Sequence, residues 1–240
     1  MQIMINKLSH HYGTSKALKN VTLTLPRGFT LLLGPNGAGK STLFGLLTGL
    51  QKIEQGDITF DGQSLHHSRN TIMANMGVVF QQNTLDIDLT VQQNLSYFAS
   101  LHGISEKKAL QRISTLLEKL ELKERLSTKV RNLNGGHRRR VELARCLIHN
   151  PSILLLDGPT VGLDMASRQL ILSVVKNLTQ QRPMSVLWAT HFFEEVHSDD
   201  HFVILFKGSI VSDDICSTLL SVHKQPNIDA LWQYLITENQ

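Results

Sequence analysis

The chain has 240 residues, 41% hydrophobic and 18% charged, with a formal net charge of +4. Those are globular values that leave room for one large α/β domain, exclude a disordered tail and do not call for nucleic acid. Only Cys146 and Cys216 are present, in segments that read as buried, which points to a reducing compartment and excludes a disulfide framework.

In chain order, the first sixty residues read as β structure around a glycine loop. Val21–Leu25 alternates and meets a turn at Pro26-Arg27-Gly28. The apolar run Phe29–Leu33 leads into Gly34-Pro35-Asn36-Gly37-Ala38-Gly39-Lys40-Ser41-Thr42, and Leu43–Leu47 continues with helical spacing. Strand, glycine loop and helix is the setting of a phosphate-binding loop. Glycines let successive amides turn onto one anion, and the helix adds its positive end. Lys40 then reaches the β- and γ-phosphates of a nucleoside triphosphate, and Ser41 holds Mg²⁺.

Asp57–Phe60 is a strand ending in the hairpin signal Asp61-Gly62, and Met76–Phe80 is a further strand. From about Leu85 to Asn150 helical spacing takes over. Ala109, Ile113, Leu116, Leu117 and Leu120 predict one face of a single helix, and Gly135-Gly136 opens another through Arg145. The run Arg138-Arg139-Arg140 reads as a solvated helix face, with contact to phosphate, lipid headgroups or a partner's acidic loop as the alternative. Ile153–Asp157 is a continuous apolar strand suited to a covered parallel sheet. A helix over Met165–Gln180, a strand over Ser185–Ala189 with Trp188 in the core, a hairpin of Phe202–Phe206 with Gly208–Val211, and two short helices through Gln240 complete the chain. The fold class is α/β: a P-loop NTPase core, mostly parallel with an antiparallel β part, carrying a helical subdomain at about 85–150 inserted in a single domain of residues 1–240. No apolar run approaches the ~20 residues that span a bilayer. The start, Met1 to Asn6, is too short and polar for a secretory signal, so the reading is a soluble chain. The pairs His10-His11 and His66-His67 read as solvated surface rather than metal ligands, because neighbouring side chains point apart.

Five further features narrow the phosphate loop. Gln81 follows the strand at Met76–Phe80, Leu133-Asn134-Gly135-Gly136-His137 opens a helix, Asp157 ends a strand, Val161-Gly162-Leu163-Asp164 follows it, and His191 ends the next strand. In order and spacing this set resembles the ATP-binding cassette (ABC) family of transport ATPases over nearly the whole chain. The segments Val79–Asp86 and Leu133–Arg140 resemble, more narrowly, the cassettes associated with pyrroloquinoline-quinone-dependent alcohol catabolism, which pair with exporter-type membrane subunits.

The resemblance implies a dimer that sandwiches two ATP molecules head to tail, in which Lys40, Ser41 and Thr42 of one cassette face Asn134, Gly135 and Gly136 of the other. Asn134 stands where a hydroxyl donor is common and keeps an amide donor. The resemblance further implies that Tyr12 stacks on adenine, that Gln81 touches Mg²⁺ or the attacking water, that Asp157 holds Mg²⁺, that Asp164 lies at the dimer seam and that His191 contacts the γ-phosphate. The partners it implies are an integral membrane permease, docked around Val91–Leu101 with Gln92, Gln93 and Tyr97, and a second cassette. The place it implies is cytoplasmic, peripheral at the inner face of the membrane.

One departure stands out. The family's glutamate after Asp157 is replaced by Gly158, which can neither orient nor deprotonate water. Two rival readings follow: a regulatory subunit that binds ATP without hydrolysing it, supported by Gly158, and a soluble non-transport ABC ATPase. The latter usually has tandem cassettes or coiled-coil arms, which this chain does not show.

Overall fold

A computed structural model of the protein describes residues 1–238; the predicted end of the last helix, at Asn239 and Gln240, lies outside them. The antiparallel part is a four-stranded sheet. Strands β1 (Ile3–Tyr12) and β2 (Ser15–Leu25) pair, and β4 (Gln55–Phe60) joins β1 on its other side with β5 (Gln63–Ser64) at the edge. Alternation decides which face is covered: Ile3, Ile5, Val21, Leu23, Leu25, Ile58 and Phe60 are buried while Met4, Thr22 and Thr24 face out.

The main sheet has six strands in the order β10-β9-β3-β8-β7-β6. Here β3 is Gly28–Leu33, β6 Met76–Val79, β7 Ile153–Asp157, β8 Ser185–Thr190, β9 His201–Phe206 and β10 Ser209–Ile215. All neighbours are parallel except the edge strand β10. Every residue of β7 and β8 is buried, as a sheet covered on both faces requires. One face packs with the antiparallel sheet and helix α1 (Lys40–Leu47), and a short helix α2 (Arg69–Ala74), not anticipated from sequence, adds Ile72. The other face packs against α3 (Val91–Leu101), α6 (Gly135–Leu147), α7 (Met165–Gln181) and the two short helices α8 (Cys216–Val222) and α9 (Ile228–Glu238). Each buried leucine of β7 contributes about 1.5–3 kcal/mol relative to exposure. Trp188 is fully buried, as the sequence implied, and its indole N–H donates to Glu195 at 2.9 Å.

Among the described residues no helix is long and apolar enough to cross a membrane. Both cysteines are buried free thiols.

Three expectations are corrected. The single helix drawn through Ala109–Leu120 is two, α4 (Glu106–Arg112) and α5 (Ser114–Lys119), broken where Ile113 adopts φ −102 and ψ 11 and the Ser114 hydroxyl donates to Gln111 O at 3.1 Å. The apolar face survives the break, since Ala109, Ile113, Leu117 and Leu120 are all buried. The arginine run is not a solvated face. Arg139 is 8% exposed and Arg140 7%, each held by carbonyl and carboxylate oxygens, and Arg138 donates to Val130 O and Arg131 O at 3.1 and 2.9 Å. Of the four paired histidines, His10 is buried, 7% exposed, with its ring edge-on to Tyr12 at 4.9 Å, whereas His11, His66 and His67 are exposed.

Candidate functional site

Four strands of the main sheet end at one cavity. The glycine loop follows β3, Gln81 follows β6, Asp157 closes β7 and His191 follows β8. Their carboxyl ends open on a cavity of about 610 Å³ lined by Pro35, Asn36, Gly37, Gly39, Lys40, Ser41, Thr42, Gln81, Asp157, Gly158 and His191, with Ala17, Val161, Ala189 and Thr190 completing the wall. Parallel sheets place ligands at this end.

The loop is shaped by backbone that only glycine adopts easily. Gly37 and Gly39 have φ of 80 and 110, and Gly39 caps α1 without a side-chain bond, so the first amides of the helix stay free to meet an anion. Gly34 and Ala38 are buried beneath the loop. Lys40 curls back to donate to Gly34 O at 2.5 Å and Pro35 O at 3.0 Å. Burial pushes the Lys40 ammonium below its ordinary pKa, and the charge of Asp157 pulls against this. Burial likewise raises Asp157, opposed by a hydrogen bond from Ser41 and by the charges of Lys40 and Arg139. Each charge is thus short of solvent, which is the condition under which a phosphate or a cation gains most from binding. The donors Ser41, Gln81 and Asp157 are all oxygen-bearing and share this one cavity, and Ser41 already bonds Asp157; such a hard-oxygen set fits Mg²⁺ that rides on phosphates.

The second group of sequence-predicted residues lies elsewhere on the chain. Asn134 caps α6, its Oδ1 accepting from His137 N at 2.8 Å and from His137 Nδ1 at 2.7 Å. The amide N–H₂ of Asn134 is left over as a donor. Asn134 and Gly135 are exposed, and neither they nor Gly136 line the cavity. Asp164 caps α7, accepting from Ser167 N and Ser167 Oγ at 2.9 Å each, and these bonds hold its carboxyl below the usual range. Arg168 ties this loop to the strand end: it donates to Leu163 O at 2.9 Å and stacks 3.8 Å over Phe192, the neighbour of His191. Tyr12, at the tip of β1, is 51% exposed, accepts from Gln51 Nε2 and lies outside the cavity lining.

Sequence reasoning did not place Ala17, Ala189 or Thr190 at the cavity, and gave Val161 only as part of the run after Asp157. Ala189 and Thr190 adjoin His191 and were within reach, while Ala17 is carried in by the start of β2, ahead of the alternation at Val21–Leu25 that marks the strand. It also gave no hint that Gly158 stands at φ +57.

The chain is similar in sequence and fold to known proteins. A model of the ABC transporter family matches residues 18–161. The linearmycin resistance ATP-binding protein of Bacillus subtilis is 34% identical over 214 residues, 87% of this chain and 68% of that one. The Nod factor export ATP-binding protein I of Cupriavidus pinatubonensis is 36% identical over 205 residues, 85% and 63% respectively, so the chain spans about two thirds of these relatives' lengths. Among solved structures, an ATP-binding subunit of an ABC transporter superposes with a TM-score of 0.87 over 98% of this chain and all of that one at 24% identity, a likeness of fold. A dimeric bacterial ABC transporter cassette gives 0.79 at 28% identity over 89% and 98%. A family model that matches more than half of the chain, and relatives 34% and 36% identical to it, place the chain in the ABC transporter family, among its ATP-binding subunits.

Proposed function

We propose that this chain binds ATP with Mg²⁺ at the seam of a cassette dimer and couples binding and release to export by an integral membrane permease. One observation carries the reading. The phosphate side of the site is assembled within this chain, while Asn134, Gly135 and Gly136 stay outside the cavity, which supports a reading in which a second cassette supplies them. In this reading Lys40 and the loop amides hold the β- and γ-phosphates, Ser41, Gln81 and Asp157 hold Mg²⁺, His191 and Gln81 orient the attacking water, and Tyr12 stacks on adenine. Bound Mg²⁺ neutralises charge on the phosphates. We read residues 1–240 as one cassette with residues 85–150 as its helical subdomain, placed in the cytoplasm at the inner face of the membrane.

In this reading the permease docks on the segment after Gln81 through α3, where Ile87, Tyr97 and Leu101 are 50%, 64% and 64% exposed. The two relatives named above are, by name, resistance and export proteins, which favours the outward direction. The narrower likeness to the pyrroloquinoline-quinone-associated cassettes rests on Asn134, His137 and the Gln81 loop.

Gly158 favours slow hydrolysis by this chain's own site, with a glutamate-bearing partner turning over the other. A regulatory, non-hydrolysing subunit is the second reading, and the same residue supports it. Calorimetry with Mg·ATP on the parent and on Lys40→Ala tests the core of the reading: binding is expected to weaken at least about tenfold, the loss of one charge-assisted contact. Equal heats in the two proteins would remove it. Purification from detergent-solubilised membranes with an integral membrane protein attached tests the coupling, and separates transport from a soluble ATPase.

A further inference from the structure

The arginine run that the sequence leaves on a solvated face does work inside the protein. Arg139 and Glu142, one turn apart on α6, are 8% and 1% exposed and pair at 2.8 Å. Both reach off their own helix to the same loop. Arg139 donates Nη1 to Phe80 O at 2.6 Å and Nη2 to Gln81 O at 2.8 Å. Glu142 Oε1 accepts from Thr84 N at 2.8 Å and Thr84 Oγ1 at 3.1 Å, and Arg145, a further turn along, donates Nη1 to Thr84 O at 3.0 Å. The backbone on both sides of the Gln81 side chain is therefore bolted to α6. Arg140, next in the run, turns the other way, to Leu120 O, Glu121 and Ser167.

A buried ion pair costs desolvation that packed apolar side chains would avoid, so stability alone does not account for it. We propose that Arg139 and Glu142 are positioning residues for Gln81, fixing the loop of residues 80–84 on α6 so that Gln81 enters the phosphate cavity in one register and moves together with the helix that begins at Gly135. The inference rests on the ATP reading of that cavity. With no carboxylate at Gly158, the placing of Gln81 matters more, because fewer side chains are left to orient water. The Arg139 charge also acts on Asp157 across the same site.

The test compares the full parent chain with Arg139→Met/Glu142→Leu, which replaces the pair by apolar side chains, and with Arg139→Lys, which keeps the charge opposite Glu142 but cannot donate to two carbonyls as a planar fork does. Amide hydrogen exchange over residues 80–85 is measured without nucleotide, and ATP affinity is measured with Mg²⁺ and with EDTA. In both variants loop exchange is expected to rise about tenfold, ATP affinity in EDTA to hold, and the Mg²⁺-dependent gain in affinity to fall about tenfold. Unchanged loop exchange overturns the clamp. Faster exchange with the Mg²⁺ gain intact overturns the positioning role and leaves the pair structural. If the double variant does not fold, Arg139→Lys decides alone. If the parent binds no ATP at all, the reading of the cavity fails and the positioning role with it, while loop exchange still shows whether the loop is bolted to α6.

Discussion

Gly158 and Val161 form a tight corner directly after Asp157: Gly158 sits at φ +57, and a β-carbon built there would lie 3.1 Å from Cγ2 of Val161. Its N–H donates to Ala189 O and its carbonyl accepts from Val161 N, at 3.0 and 3.2 Å. The position carries no carboxylate and also holds a backbone conformation that costs a side-chain-bearing residue about 1–2 kcal/mol. Introducing glutamate therefore changes two things at once, and alanine separates them. Gly158→Ala and Gly158→Glu are both expected to lower Tm by about 2–8 °C, from that cost at this chain length. Only the glutamate is expected to raise ATP turnover, by about 10²-fold or more if the general base is regained. Phosphate-release assays and thermal unfolding of the three proteins check this; equal turnover in the two variants would falsify the role given to the missing carboxylate.

The adjacent glycines Gly135 and Gly136 are expected to behave differently. A β-carbon on Gly136 would lie 2.7 Å from Ser167 Oγ, while one on Gly135 would reach only Leu163 Cδ2 at 4.0 Å. Gly136→Ala displaces Ser167 Oγ, which donates to Asp164, and is expected to cost about 1–3 kcal/mol, as overpacking does. Gly135→Ala is expected to leave Tm within about 2 °C of the parent, as a surface change does, and so becomes the clean probe of nucleotide contact across the dimer. Thermal unfolding of each decides the first point, and ATP-dependent dimerisation of Gly135→Ala the second.

Tyr12 is half exposed and holds few contacts beyond His10 and Gln51. Tyr12→Ala is expected to leave stability nearly unchanged and to weaken ATP by the stacking contribution of about 1–3 kcal/mol, roughly 5–150-fold in Kd. Tyr12→Phe should restore affinity. Titration of the three proteins with Mg·ATP reads this, and an unchanged Kd in the alanine variant would place adenine elsewhere.

The chain also carries a pH-sensitive contact away from the cavity. His102, at the end of α3, stacks on His149 with ring centres 4.1 Å apart and 8° between planes. His149 Nε2 meets Met76 O at 3.1 Å and so carries the proton, while its Nδ1 is buried without a partner. Burial first, then the charge of His102, push the His149 pKa down to about 4, and burial lowers His102 too. Arg182 adds like charge. The unfolded imidazole titrates at its ordinary value near 6.5, so between there and about 4 the unfolded chain binds a proton that the folded chain refuses. The contribution to stability is whole above about 6.5 and is lost as pH falls towards 4. Tm is expected to drop between pH 7 and pH 5, and less steeply in His149→Gln; parallel slopes for the two proteins would show that the pair does not matter.

The sequence alone determined the phosphate loop, the apolar strands β3, β7 and β8, and the identity of the residues at their ends. These depend on neighbours close in the chain: glycines where amides must converge, periodicity where one face or both are covered. It did not determine how Arg139 and Arg145 would be used, because their partners at Phe80, Gln81 and Thr84 lie 58 to 61 residues away. The burial of His10, the stacking of His102 on His149 and the arrival of Ala17 at the cavity have the same cause. A charged or aromatic side chain looks alike in sequence whether it meets water or a distant carbonyl, and only the packing of the sheet against the helices decided which.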